Sequence, residues 1–96
     1  MTDLSVSERK AIIEQLDQKV SAGLLPIGQL IKAIRTDLYG MTQAQYAKFS
    51  QVSDKTLRDI EKGKTDPRLS VVNKLVKPGG FELSARVVRQ HSRDGR

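Results

Sequence analysis

The chain has 96 residues, of which 38% are hydrophobic and 29% charged, with two tyrosines, two phenylalanines, no cysteine and a formal net charge of +6. That length fits one domain with an aliphatic core, and a chain so short is marginally stable unless it associates. The lack of cysteine excludes disulfides, a thiolate zinc site and a cysteine nucleophile, and no apolar run is long enough to span a membrane; with no apolar signal segment at the N-terminus, a reducing cytoplasm is the expected setting.

The first predicted helix is "SVSERKAIIEQLDQKVSAG". Ser5 and Glu8 have capping-box spacing. Ile12 or Ile13, Leu16 and Val20 recur at helical period, and Gly23 and Pro26 stop the helix. "IGQLIKAIRTDLYG" predicts a second helix with an apolar stripe of Ile27, Leu30, Ile31, Ile34 and Leu38, ended by Gly40. "TQAQYAKFS" predicts a short third helix capped by Thr42, with Ala44, Ala47 and Tyr46 facing inward. "SDKTLRDIEKG" predicts a fourth, capped by Ser53 and stopped by Gly63. Leu57 and Ile60 take its inner side, with Val52 as a staple. "DPRLSVVNKLVKPGG" predicts a fifth from near Pro67 to Pro78, with Leu69, Val72, Leu75 and Val76 inward. "FELSARVV" then alternates as a strand would. A lone strand on a helical domain leaves its backbone unpaired, and a second copy of the chain would pair it. "RQHSRDGR" has no periodicity. The organisation expected is an N-terminal helical extension over residues 1–26, a central domain over 27–80, and a strand with a basic tail over 81–96.

The charge is unevenly placed. Residues 1–26 carry three Lys/Arg against four Asp/Glu, residues 27–80 ten against five, and residues 81–96 four against two. A polyanion such as nucleic acid is the partner this implies, the alternative being a basic surface kept for solubility. Two short helices a few residues apart have the form of a helix-turn-helix, whose second helix enters the major groove of DNA. Bases are read there by hydrogen bonds at their edges. Ser53, Asp54, Lys55, Arg58 and Asp59 supply donors and acceptors, and Leu57 and Ile60 supply the apolar mount. The plain alternative is a solvated helix face.

"MTQAQYAKFSQVSDKTLRDIEKGKTDPRLSVVNKLV" resembles the Cro/C1-type (Xre) helix-turn-helix family over roughly residues 30–77. The marks are "TQ" opening the scanning helix, Ala47 within it, "VS" before the recognition helix, "IEKGK" closing it, and a Pro before the next apolar helix. The resemblance implies an all-α, five-helix lambda-repressor-like DNA-binding domain, here with an additional N-terminal helix and a C-terminal β-strand pairing in a dimer. It implies that Gln43 clamps a phosphate, with Thr42, Thr56, Lys62, Lys64 and Arg68 as further phosphate contacts. Residues 53–59 match the base-reading stretch. Arg35 and Glu61 match a structural ion pair of the family. The chain departs from the pattern twice: Gln51 stands where a glycine is usual in the turn, and the stretch from Arg35 to Gly40 is one residue longer.

"KLVKPGGFELSARVV" resembles the end of antitoxins of the HipB and HigA kind. That implies a homodimer seamed by Phe81, Leu83, Ala85 and Val87, a palindromic double-stranded DNA operator, and a toxin protein such as a HipA-like kinase as partner. The first helix would then either bind the toxin or cover the core. Other readings are a stand-alone or phage-type regulator, and a protein-interaction module that keeps the fold without binding DNA. An enzyme is not expected. His91 stands in the tail with no ligand cluster, Asp54 and Asp59 are five residues apart, and "KPGG" lacks the setting of a phosphate-binding loop. No cofactor or metal is implied.

Overall fold

Three helices of this chain start where a side chain, that of Ser5, Thr42 or Ser53, satisfies a free amide group. In the computed structural model, which describes residues 4–84, Ser5 caps α1 (Val6–Ser21). Its hydroxyl accepts from the Glu8 amide at 3.1 Å, and the Glu8 carboxylate accepts from the Ser5 amide at 2.8 Å. Those bonds favour the ionised carboxyl and hold Glu8 below the usual carboxylate range. Thr42 and Gln45 make the same reciprocal box at the head of α3 (Gln43–Ser50). Between them lies α2 (Ile27–Ala33), which widens into a π-helical turn over Ile34–Leu38. A π turn takes up one residue more than an α turn. It thereby absorbs the extra residue between Arg35 and Gly40, so the second helix is not the uninterrupted α-helix expected.

A turn of three residues leads to α4 (Asp54–Lys62), followed by α5 (Leu69–Val76) and a 3-10 turn at Lys77–Gly79. The described residues thus hold five α-helices, the N-terminal one included. The turn between α3 and α4 closes with Val52 N–H donating to Ala47 C=O at 2.9 Å, and it needs a left-handed residue at Gln51, φ 62°. Gly63 ends α4 in the same conformation, φ 70°, without the steric cost that Gln51 bears.

The core gathers Ile31, Ile34, Leu57 and Leu75, all fully withdrawn from solvent, with Leu30, Leu38, Ile60, Val72 and Val76 around them. Burying an aliphatic side chain of this size stabilises by about 1.5–3 kcal/mol. Helices α2 and α4 pack closely because residue 28 is glycine: a Cβ there would lie 2.3 Å from the Ile60 carbonyl oxygen. Helix α1 lies over this core through buried Leu16 and half-buried Ile12, Ile13 and Val20. It is also tied by Arg9, whose Nη1 donates to the Leu38 carbonyl at 3.1 Å and whose guanidinium lies 5.2 Å from the centre of the Tyr39 ring.

Three details of packing differ from expectation. Ala44 is exposed because the inward positions of α3 are Tyr46, Ala47 and Ser50. Leu69 is 75% exposed, since α5 begins there and turns Val72, Leu75 and Val76 inward. Residues 81–84 form no strand. The amides of Phe81 and Leu83 are engaged within the chain, with the Val76 carbonyl at 3.2 Å and the Asn73 side chain at 3.4 Å, and Phe81 packs against the chain's own core. Ala85 and Val87, the rest of the expected seam, lie outside the described residues.

Candidate nucleic-acid interface

Helix α4 has two unlike sides. Leu57 and Ile60 are buried, while Asp54, Lys55, Arg58 and Lys62 are exposed and Asp59 is half-buried. The apolar pair fixes the helix, so the polar side is presented as a rigid surface. Its start is held by Ser53, whose hydroxyl accepts from the Thr56 amide at 3.1 Å and donates to the Thr56 hydroxyl at 2.7 Å. Two of the polar groups expected at DNA are thus engaged with one another as a helix cap.

The charged groups are also paired. Arg58 Nη1 donates to Asp54 Oδ2 at 2.7 Å, and Lys55 Nζ donates to Asp59 Oδ2 at 2.7 Å. Both pairs are one helical turn apart and open to water, which screens them, so they add little to stability. The acid precedes the base in the first pair and follows it in the second, and the first is the better orientation against the helix dipole. The Asp59 carboxyl is held below its ordinary range, chiefly by the hydrogen bond from Lys55, with the charges of Lys55, Lys62 and Arg58 adding to it. Sequence reasoning named all four residues but missed the pairing, although the spacing of four was there to read.

Three cations of the same region have no such partner. Lys62, Lys64 and Arg68 are exposed and form no ion pair among the described residues. Lys64 follows the stop at Gly63 directly, its amide bonded to the Asp59 carbonyl at 3.0 Å. Arg68 lines a groove beside α4 with Thr56, Asp59, Thr65, Asp66, Pro67 and Val71. Thr65 and Asp66 were not singled out from sequence, where they read only as turn residues.

At the head of α3, Thr42 Oγ1 caps the helix and Gln43 is held by α4. Gln43 Nε2 donates to Glu61 Oε1 at 3.0 Å, leaving a second N–H on the same nitrogen for an acceptor outside the protein. Glu61 is fixed in turn by Arg35, and Arg35 Nη1 also donates to the Met41 carbonyl at 2.9 Å. The start of the scanning helix and the end of the recognition helix are therefore joined by one hydrogen-bonded network.

Among the described residues no cluster of His, Cys, Asp or Glu could hold a metal ion, and no helix is long and apolar enough to cross a membrane. A family model described as Helix-turn-helix matches residues 31–84, more than half of the chain. No curated protein matches the chain, and no solved structure does. The helix pair, the mounted polar face, the Arg35–Glu61 pair and the family match agree, and the chain belongs to the Cro/C1-type helix-turn-helix family of DNA-binding regulators.

Proposed function

We propose that the chain is a sequence-specific transcriptional repressor that acts as a homodimer in the cytoplasm, and that it is the antitoxin of a toxin–antitoxin pair repressing its own operon. The observation that carries the DNA reading is the exposed polar side of α4 set on buried Leu57 and Ile60 and flanked by Lys62, Lys64 and Arg68, which are unpaired among the described residues. Lys55 and Arg58 suit guanine edges, and Asp54 and Asp59 suit the amino group of cytosine. Gln43, Thr42, Thr56, Lys62, Lys64 and Arg68 would set register against phosphates. Two copies would meet half-sites about 34 Å apart on a palindromic operator. The seam assigned to Phe81, Leu83, Ala85 and Val87 belongs to this proposal, with Leu83 37% exposed and open to a partner. The antitoxin role is supported by the likeness of residues 74–88 to the ends of HipB- and HigA-like antitoxins.

Fluorescence anisotropy tests it. The chain should select a palindromic duplex from a randomised pool, and log affinity should fall linearly with log salt. It should also co-purify with the product of the adjacent reading frame. The neutralisation of Lys55 and Arg58 by Asp59 and Asp54 favours a second reading, an interaction module that keeps the fold. Absence of any salt-dependent affinity for DNA in the dimer would favour that reading instead.

A further inference from the structure

The five cations on and beside α4 fall into two classes. Lys62, Lys64 and Arg68 are unpaired among the described residues, whereas Lys55 and Arg58, at the centre of the exposed face, are each bound to a carboxylate at 2.7 Å. Residues 54–59 therefore present two positive and two negative charges in two closed pairs. A surface meant only to attract DNA gains nothing from such carboxylates, which repel every phosphate they face. We propose that Asp54 and Asp59 are specificity-determining residues that act as internal counterions, withholding Arg58 and Lys55 from phosphates and releasing them only to a matching base edge. The proposal rests on the reading of the chain as a DNA-binding protein.

The chemistry of the competing partners supports it. A phosphate at the helix face offers a single, well-hydrated anion, much like the carboxylate already in place, so exchanging one for the other gains little. A G·C pair offers more in the major groove. Guanine N7 and O6 accept two bonds in the geometry of the guanidinium, and the cytosine amino group beside them donates to a carboxylate. The pair Arg58–Asp54 can therefore open against one base pair with both charges satisfied. An A·T pair sets the adenine amino donor between N7 and thymine O4, so the guanidinium finds no adjacent pair of acceptors, and a phosphate leaves the carboxylate facing an anion. The same logic applies to Lys55 and Asp59. Random DNA is then bound by the unpaired cations alone, and the paired ones contribute only at the operator.

Salt-dependent binding to two probes tests this: a labelled random-sequence duplex, and the duplex that the native chain selects from a randomised pool. Asp54→Asn and Asp59→Asn should each steepen the log–log salt slope on random duplex by about 0.9, the signature of one more phosphate neutralised. At physiological salt each should raise random-duplex affinity about fivefold, with a smaller change on the selected duplex. The ratio between the two probes therefore falls. Asp54→Ser is measured beside Asp54→Asn so that an effect on helix initiation does not decide the result. Glu14→Gln, on α1, should move neither slope nor ratio. Unchanged slopes and affinities in the Asp variants would show the pairs to be inert and overturn the proposal. Loss of affinity for the selected duplex alone would also overturn it, making the two carboxylates direct readers only. If the native chain enriches no sequence and Lys64→Ala leaves its salt slope unaltered, the DNA-binding reading fails first, and that is visible before any Asp variant is measured.

Discussion

Arg35 and Glu61, twenty-six residues apart, meet as a two-pronged ion pair. Nε and Nη2 of the arginine donate to the two carboxylate oxygens at 2.7 and 2.9 Å, and the side chains are only 10% and 4% exposed. A pair so shielded depends on both members, since removing one leaves a buried charge without its counterion. Glu61→Ala should therefore destabilise the fold by about 3–5 kcal/mol. Thermal unfolding followed by circular dichroism should show a fall of more than about 10 °C. A change within a degree or two would mean that Arg35 finds compensation elsewhere.

Gln51 occupies the left-handed region with φ 62° and ψ 43°, and its side chain is exposed. Among the described residues its strain is not offset by any hydrogen bond of that side chain. Gln51→Gly should relieve the backbone by more than glycine loses in the unfolded chain, a net gain of about 0.5–1 kcal/mol. Urea unfolding checks this by a higher midpoint at unchanged slope.

Gly28 is the contact point between α2 and α4. Gly28→Ala puts a methyl against the Ile60 carbonyl, which as backbone cannot swing aside. The helices must separate, at a cost of about 1–3 kcal/mol. Because α4 carries the exposed polar side, the same variant should weaken binding to the selected duplex more than to random DNA.

The Tyr46 phenol is buried, and its hydroxyl donates to the Leu75 carbonyl at 2.7 Å. Burial, more than any other factor, pushes its pKa well above the ordinary 10.0. The folded chain thus keeps this proton when the unfolded chain has lost it. Stability from this group is complete below pH 10 and declines as pH rises from there towards the raised folded value. Denaturant unfolding across alkaline pH should show that decline in the native chain and less of it in Tyr46→Phe. At neutral pH the variant should be weaker by about 1–3 kcal/mol, because the Leu75 carbonyl loses its donor.

Arg58 and Lys64 should separate the two kinds of contact. Arg58→Ala combined with Asp54→Asn, which removes the pair without leaving a charge behind, should lower the preference for the selected duplex by about 1–3 kcal/mol while leaving affinity for random DNA nearly unchanged. Lys64→Ala should weaken binding to both and flatten the salt slope by about 0.9. Anisotropy titrations on both probes decide between these signatures.

Much of this architecture was legible because local chemistry and tertiary packing agree. The capping box at Ser5, the N-cap at Thr42, the stop at Gly63 and the inward Leu57 and Ile60 follow from spacing alone, and each stands where expected. The π turn was legible only as a length: a surplus residue between Arg35 and Gly40 does not say whether a loop or a helix absorbs it. The alternation at residues 81–84 misled because period two marks residues that could face opposite ways, while strand formation depends on a partner for the amides. Here Val76 and Asn73 supply acceptors from the same chain. At the interface, residue types on α4 were readable. Their mutual neutralisation depends on which rotamers those side chains take, and residue types do not fix that.

The wide turn at the end of α2 also works as a joint. It carries Arg35, which ties the start of α3 to the end of α4 through Glu61 and Gln43, and Leu38, whose carbonyl receives Arg9 from α1. The first helix and the helix-turn-helix are thus fastened to the same five residues. Anything that tugs on the first helix meets, within a single coil of backbone, the arginine that ties the two helices of the helix-turn-helix together.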